Sequence, residues 1–384
     1  MATNADSTEV LDLVGHIDAL MKKVHTQSLD LSFNELLDMH AQGELNISPD
    51  YQRLFQWSEA ARSRFVESLL LEMPVPPIFV VEEEDGKYLL IDGLQRISSY
   101  LHLRGRLVAP HLEPPVGVGD KLTFIDCDIV KELNGKNYDD LGAALQIRLK
   151  RSFIRVEVVR KGSDARFKYW MFKRLNTGGQ ALSPQQIRNC SIRLLAPRFI
   201  DFIKVLTTDE CFKTCTEGLT PERRLTAFDE ELVLRFFAFK NYRAEFKHGI
   251  DDFLTEYLEA VSDPDGGLDF AYDQEQGIFL KTFKILAKSL GDVAFAFPNR
   301  KRTDFNSGFS VYHFEGLTLG LQPFIDQIDP ENGQAIEKLG RLLKVIKLDE
   351  AFIKITQGGG KNSPGPLKDR IEFVEQRLGN EKWT

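Results

Sequence analysis

Residues 89–103 read LLIDGLQRISSYLHL, and the hydrophobic periodicity of this stretch changes at one point. The apolar run that ends at Ile91 is typical of a buried strand, whereas Ile97, Tyr100 and the leucines after them recur at the spacing of a helix. The sequence therefore predicts a strand, a tight turn at Asp92–Gly93 and a helix. Unpaired backbone N–H groups and the helix dipole make such a helix start favourable for a phosphate group.

The polar residues of this turn have two interpretations. Asp92, Gly93, Gln95 and Arg96 could form the solvated surface of an ordinary strand-to-helix connection. Alternatively they could form a binding site, because a glycine permits close approach to the backbone and an arginine can clamp phosphate oxygens. From these residues alone both interpretations stay open.

The segments on either side of the turn predict further elements. Ser58 can cap a helix, and MPVPPIFVV (73–81) begins a hairpin that turns back at Asp85–Gly86. Residues 138–149 have helical periodicity, and residues 152–159 alternate as a half-buried strand does. These elements predict a mixed α/β arrangement around the turn.

One more strand is predicted at residues 121–126. Asp126 and Asp128 would then share one face of that strand, because side chains alternate between the two faces of a sheet. Two carboxylates on one face could hold Mg²⁺. Solvent exposure of that face is the favoured interpretation of the pair.

The fold class predicted from this pattern is α+β, with an N-terminal α/β domain and a mostly α-helical C-terminal domain. Helical periodicity dominates the second half of the chain. The predicted divisions are a helical segment at 1–30, the α/β domain at 31–180, the helical domain at 181–355, and a linker with a terminal helix at 356–384.

The composition excludes several classes of protein. Hydrophobic residues make up 42% and charged residues 28%, as in ordinary globular proteins. No apolar run reaches the roughly 18 residues that a membrane span needs. The polar start MATNADSTEV does not have the pattern of a signal peptide, and four cysteines do not form a disulfide framework. We therefore expect a cytoplasmic protein without membrane contact, whose oligomeric state is open.

The charge is distributed unevenly along the chain. The net charge is −8, but the segment from Arg148 to Arg198 has 13 Lys or Arg residues and two acidic residues, a formal charge of +11. Such a segment can bind phosphates, and the sequence predicts DNA contact through Lys150, Arg151 and Lys168. The alternative is a solvated face, or cations that pair with the acidic remainder of the chain.

Four motifs in order carry a resemblance to a known family. They are PDYQRLFQW (49–57), PVPPIFV (74–80), LLIDGLQR (89–96) and FKRLNTGGQALSPQQIRN (172–189). Together they resemble the GmrSD-type restriction-endonuclease N-terminal domain family, which is usually recognised by a DGQQR motif. That family belongs to the wider ParB/sulfiredoxin-like fold, so the resemblance implies this fold for the N-terminal domain. It extends weakly to about residue 320.

The resemblance implies a nucleotide-binding domain, often an NTPase, in bacterial defence against phage or modified foreign DNA. Its cofactors would be a nucleoside triphosphate and Mg²⁺. The catalytic residues would be Asp92, which holds Mg²⁺ or orients water, Gln95, which positions water or a phosphate oxygen, and Arg96, which neutralises developing charge.

The nucleotide would bind along three of the motifs. The residues assigned to nucleotide binding are Tyr51, Gln52, Arg53, Gly93, Asn176, Thr177 and Gly178. The last three could hydrogen-bond a ligand edge, or their segment could be a plain helix–helix connector.

Two features depart from the family pattern. Leu94 replaces the first glutamine of DGQQR, which would weaken hydrolysis if that amide contacts the nucleotide or water. Many relatives also carry a C-terminal HNH nuclease, but only His313 lies beyond residue 248 here, so the sequence predicts a standalone member without that domain. The alternative function is a non-catalytic nucleotide- or DNA-sensing module that acts through a separate effector nuclease.

Overall fold

A computed structural model describes residues 13–15, 17–19, 21–47, 55–83, 85–176, 183–193, 196–263, 267–306 and 308–383. The chain divides into two compact units, Met1–Ala181 and Leu182–Thr384. Among the described residues, no helix combines the length and the apolar character that a membrane crossing requires.

The first unit is built on a five-stranded mixed sheet with the strand order β1-β5-β3-β4-β2. The strands are β1 (Thr26–Ser32), β2 (Leu45–Asn46), β3 (Ile78–Glu82), β4 (Tyr88–Asp92) and β5 (Phe153–Val159). The pairs β1–β5 and β3–β4 are antiparallel, whereas β3–β5 and β2–β4 are parallel. This mixed sheet, together with the helices around it, confirms the predicted α+β class.

Helices lie between these strands and after β5. They are α1 (Phe33–Ala41), α2 (Glu59–Leu70), α3 (Leu94–Leu103), α4 (Gly142–Arg151) and α5 (Ala165–Asn176), with 3₁₀ turns at Lys131–Leu133 and Tyr138–Leu141. The predicted cap at Ser58 is confirmed, because its hydroxyl accepts a hydrogen bond from the Ala61 N–H. Such a cap satisfies one of the N–H groups that a helix start leaves unpaired.

Buried and exposed side chains alternate along β5 and fix which of its faces packs in the core. Ile154, Val156 and Val158 are buried, whereas Phe153 and Arg155 are exposed. Because successive side chains of a strand point to opposite faces, one face of β5 packs in the core and the other remains open. The strand predicted at 152–159 is confirmed.

The strand predicted at residues 121–126 is wrong. Leu122 and Phe124 are buried in alternation, which produced the strand-like pattern, but none of the described strands pairs with this segment. The Phe124 N–H instead donates to the Lys136 carbonyl within a loop. Asp126 has a positive φ of 52°, and Asp126 and Asp128 are both exposed without forming a strand face.

Residues 26–32 form β1 at the edge of the sheet, so the helical segment predicted at 1–30 is wrong for residues 26–30. Helical residues occur before it, at 13–15 and 17–19. The segment TQSLDLS is polar and mostly exposed, so its hydrophobic signal is weak. Its strand conformation depends on pairing with β5, from Thr26 opposite Val159 to Ser32 opposite Phe153.

The second unit is helical in its described residues. Its helices are α6 (Pro184–Arg193), α7 (Pro197–Thr207), α8 (Glu210–Cys215), α9 (Pro221–Leu225), α10 (Phe228–Asn241), α11 (Ile250–Ser262), α12 (Tyr272–Leu290), α13 (Val311–Gly320), α14 (Gly333–Leu348), α15 (Glu350–Thr356) and α16 (Pro364–Gly379). Short 3₁₀ turns lie at Arg243–Glu245, Gly291–Val293 and Gln322–Phe324. Phenylalanines from several helices fill the core; Phe236 contacts Phe279 edge-to-face with ring centroids 5.4 Å apart.

A charged cluster is also buried in this helical core. Glu315 on α13 pairs with Arg235 on α10 at 2.8 Å and with Arg370 on α16 at 2.7 Å. Arg235 further pairs with Glu231 at 2.8 Å. The cluster joins three helices of the second unit, α10, α13 and α16.

Candidate functional site

The turn at Asp92–Gly93 has the predicted strand–turn–helix geometry. Strand β4 ends at Asp92, Gly93 is the N-cap with φ 105° and ψ 10°, and α3 begins at Leu94. A Cβ atom at Gly93 would lie 2.2 Å from Ile78 Cγ2, so β3 passes directly against the turn. Glycine is therefore required both by the backbone conformation and by the packing.

Asp92 and Arg96 form an ion pair at the start of α3. Arg96 Nη2 donates to Asp92 Oδ2 at 2.7 Å and to the Pro77 carbonyl at 2.9 Å. The side chains are 15% (Arg96) and 30% (Asp92) exposed, so the pair lies partly out of water. Arg96 Nε is buried without a hydrogen-bond partner among the described residues. A buried unsatisfied donor is unfavourable, and an incoming acceptor oxygen would relieve it.

Gln95 links the turn to the end of the first motif, residues 56–57. Its side-chain carbonyl Oε1 accepts hydrogen bonds from the backbone N–H groups of Gln56 at 3.2 Å and Trp57 at 3.1 Å. The oxygen of Gln95 thus holds the backbone of residues 56–57 beside the start of α3. Tyr51, Gln52 and Arg53, which precede this segment, lie outside the described residues.

Three further side chains, none of them singled out in the sequence, hold the same segment. Arg62 Nε donates to the Trp57 carbonyl at 2.7 Å, and the Arg62 guanidinium also bonds His102 Nδ1 at 3.0 Å. His111 Nε2 lies 2.9 Å from the Phe55 carbonyl. Gln95 and His102 are seven residues apart on α3 and so share one face, which is the signal that the sequence contained for His102.

The His102 contact predicts a dependence of stability on pH. Burial and the neighbouring Arg62 guanidinium lower the pKa of His102 from 6.5 to about 4. The unfolded chain therefore binds more protons between these values, so the stabilisation is complete above pH 6.5 and is lost as pH falls toward 4. We expect the free energy of unfolding of the first unit to fall by about 2 kcal/mol between pH 6.5 and pH 5, measured by urea titration.

A non-titrating variant provides the control. His102→Asn keeps an acceptor for Arg62 but cannot gain a proton in this range. Its unfolding free energy should be nearly constant from pH 6.5 to pH 5. A variant with the same pH slope as the natural protein would show that His102 is not the titrating group.

Residues 33–193 match the family model of the GmrSD restriction endonuclease, N-terminal domain. This part of the chain is a GmrSD-type domain. The match contains all four motifs and ends at residue 193, short of the weak resemblance predicted up to residue 320. No curated protein matches the chain.

Leu94 departs from the GmrSD motif and is buried in this domain. Its side chain is 4% exposed and belongs to the core, beneath the turn. The N-cap Gly93 has no side chain that could accept a hydrogen bond from the first N–H groups of α3. Asp92 does not belong to a group of three or more His, Cys, Asp or Glu side chains in the described part of the chain that could hold a metal ion. Mg²⁺ is commonly held by one or two carboxylates and the phosphates of a substrate, so Asp92 fits a metal only together with a nucleotide.

The remaining residues predicted to bind nucleotide or DNA are distant from this turn in the sequence. Thr177 and Gly178 lie outside the described residues, and Asn176 ends α5 with a side chain that is also outside that description. Lys150 and Arg151 are exposed at the end of α4, whereas Lys168 is half-buried and its ammonium donates to the Lys161 carbonyl at 3.1 Å.

The segment with a formal charge of +11 is not one free basic surface. Arg188 is buried and pairs with Glu231 at 3.4 Å and Asp251 at 3.0 Å, all within the second unit. Arg160 in the first unit pairs with Glu82 at 3.2 Å. Some of the cations therefore neutralise acidic residues of the fold, as the alternative interpretation predicted.

Proposed function

We propose that the Asp92–Arg96 turn binds a nucleoside triphosphate and hydrolyses it in a restriction system that defends bacteria against phage or modified foreign DNA. The observation that carries the proposal is Arg96, a partly buried guanidinium at the start of a helix whose Nε has no hydrogen-bond partner in the described part of the chain. The GmrSD-type domain supports the restriction system. On the same family basis we assign the first unit to the ParB/sulfiredoxin-like fold.

The start of α3 supplies the environment for the phosphates. The Ile97 N–H donates to the Gly93 carbonyl as the first intrahelical bond of α3. The N–H groups that precede such a bond at a helix start have no partner within the helix. Positive partial charge at the helix start and the guanidinium of Arg96 would both stabilise phosphate oxygens. Gly93, without a side chain, permits close approach to this backbone.

Asp92 and Arg96 would exchange partners when the nucleotide binds. The guanidinium of Arg96 would move from the Asp92 carboxylate to phosphate oxygens. The released carboxylate would hold Mg²⁺ or orient water. Bound Mg²⁺ would neutralise charge on the phosphates. Gln95 would position the segment after Tyr51, Gln52 and Arg53, because its oxygen already binds the backbone of Gln56 and Trp57.

The second candidate function is a sensing module without turnover, which acts through a separate effector nuclease. Two observations favour it: Leu94 is buried, and Gln95 Oε1 is already bonded to two backbone N–H groups. Neither side chain then supplies an obvious contact to the attacking water. Phosphate release measured with each nucleoside triphosphate, with and without DNA, distinguishes the two functions.

Replacing Arg96 tests nucleotide binding directly. Arg96→Ala should lower nucleotide affinity by about ten- to a hundred-fold, because a charge-assisted hydrogen bond contributes roughly 1.5–3 kcal/mol. Affinity is measured by titration with a fluorescent nucleotide, and circular dichroism checks that the variant is folded. Arg96→Lys keeps the charge but not the planar guanidinium, so its nucleotide affinity should lie between those of the natural protein and Arg96→Ala.

An exposed arginine of the same unit provides the matched control. Arg106 pairs with Asp38 at 3.5 Å on the surface, and Arg106→Ala should leave nucleotide affinity unchanged. A folded Arg96→Ala protein with the affinity of the natural chain would refute the assignment of the turn.

DNA contact is proposed for the exposed end of α4. Lys150 and Arg151 make no ion pair among the described residues, so their charges are available to phosphates. Lys168 would contribute less, because its ammonium already donates to the Lys161 carbonyl. Each phosphate that such a cation neutralises releases condensed counterions, so binding would weaken with salt.

A further inference from the structure

A groove of about 850 Å³ lies in the first unit, away from the turn. One wall is a face of α4 that contains Ala144, Ile147, Arg148 and Arg151, at the i, i+3, i+4, i+7 spacing of one helix side. The other walls are the outward side of β5, with Phe153 and Arg155, and the loop of residues 72–75 after α2. A volume of several hundred Å³ is typical of a small-molecule site and large enough for a nucleotide.

Phe153 is the unusual member of this groove. Its side chain is 65% exposed, although phenylalanine is normally buried. Met73 and Ile147 in the same groove are exposed as well. The groove therefore offers an aromatic ring and apolar side chains to a ligand.

The rim of the groove is cationic. Both acidic residues of the lining are already paired, Asp30 with Arg155 at 3.1 Å and Glu72 with Arg148 at 3.6 Å. Arg151 makes no ion pair or side-chain hydrogen bond within the described ranges. The charge left for a ligand is thus positive, next to an exposed ring.

From this arrangement we infer that the groove binds single-stranded nucleic acid. An unpaired base stacks on Phe153, and the adjoining phosphates contact Arg151 and the open side of Arg155. Arginines next to an exposed aromatic ring match a polymer whose backbone is anionic and whose bases are flat. The inference deepens the DNA contact proposed above, because it names an unpaired strand as the ligand.

The groove is a separate site from the Asp92 turn. Asp92 on β4 pairs with Phe79 on β3, which in turn pairs with Glu157 on β5. Phe153 is four residues before Glu157 on the same strand. Strand spacings place Phe153 on the order of 15 Å from Asp92. Variants in the groove should therefore leave nucleotide binding intact.

The test is fluorescence anisotropy with labelled single strands of about 15 nucleotides, as DNA and as RNA, and with a duplex of the same sequence. Phe153→Ala should weaken single-strand binding by about ten-fold or more and change duplex binding little. Phe153→Trp should retain the affinity because it keeps a ring, whereas Phe153→Leu should behave like alanine. Arg151→Ala should lower the log–log salt slope for the single strand by about 0.7.

Trp170 on α5 provides the matched control, since it is an exposed aromatic residue of the same unit outside the groove. Trp170→Ala should leave single-strand affinity unchanged. Equal losses for Trp170→Ala and Phe153→Ala, unchanged affinity in Phe153→Ala, or no binding of any single strand would overturn the inference. Failure to bind any single strand would be expected if the groove instead binds a protein.

Nucleotide affinity measured in the same variants separates this inference from the proposed function. Loss of single-strand binding in Phe153→Ala with normal nucleotide affinity supports the groove. If Arg96→Ala has no effect on nucleotide affinity while Phe153→Ala still loses the single strand, the turn assignment fails and the groove assignment stands.

Discussion

Replacing Gly93 with alanine should destabilise the first unit by about 2–5 kcal/mol. The new Cβ would lie 2.2 Å from Ile78 Cγ2 and 2.8 Å from Ile78 Cβ, so β3 or the turn must move. Overpacking of this kind costs typically 1–3 kcal/mol, and a left-handed backbone costs an L side chain roughly 1–2 kcal/mol more. Urea denaturation followed by circular dichroism measures the loss.

A substitution at Gly86 separates the cost of the contact with Ile78 from the cost of the left-handed backbone. Gly86 also has a positive φ, 82°, but a Cβ there would meet no atom within 4 Å. Gly86→Ala should therefore cost only about 1–2 kcal/mol, the backbone contribution alone. Equal losses at the two positions would mean that the contact with Ile78 does not constrain the turn. A displaced turn should also weaken nucleotide binding in any Gly93→Ala protein that remains folded.

The second large effect is expected at Glu315 in the helical unit. Glu315→Gln should cost about 3–5 kcal/mol, because it removes the carboxylate that two buried arginines share. Arg235 would keep Glu231 as a partner, but Arg370 has no other carboxylate among the described residues. A buried guanidinium without an anion is strongly unfavourable. Thermal and urea unfolding of the variant measure the loss.

The exposed pair of Glu337 and Arg341 is the matched control. These side chains are on the surface of α14, at 2.6 Å, and Glu337→Gln should change stability by less than about 1 kcal/mol. The double variant Glu315→Leu, Arg370→Met should recover much of the loss, because no unpaired charge would remain buried. A Glu315→Gln protein as stable as Glu337→Gln would show that the buried cluster does not hold α10, α13 and α16 together.

Local patterns in the sequence were sufficient to predict the turn. The change from a strand run to helical spacing at Asp92–Gly93, and the alternation of residues 152–159, predicted elements that the structure contains. These predictions succeed because periodicity and glycine conformation are properties of neighbouring residues. The four motifs also identified the family that matches residues 33–193.

Strand pairing was not predictable in the same way. TQSLDLS is a strand because β5, more than 120 residues later, pairs with it. The segment at 121–126 has a strand-like pattern but pairs with none of the strands that the structure describes, so it remains a loop. A strand needs a neighbour for its N–H and C=O groups, and that neighbour is chosen by the tertiary fold.

For the candidate site, the sequence by itself determined which residues occupy the turn, namely Asp92, Gly93, Gln95 and Arg96, since these are contiguous. Only the tertiary structure decided what they contact. It places Gln95 against the backbone of Gln56 and Trp57, and Arg96 against the Pro77 carbonyl. Those partners are 19 to 39 residues away, and hydrogen bonds over such separations form only when the sheet and α3 have packed together.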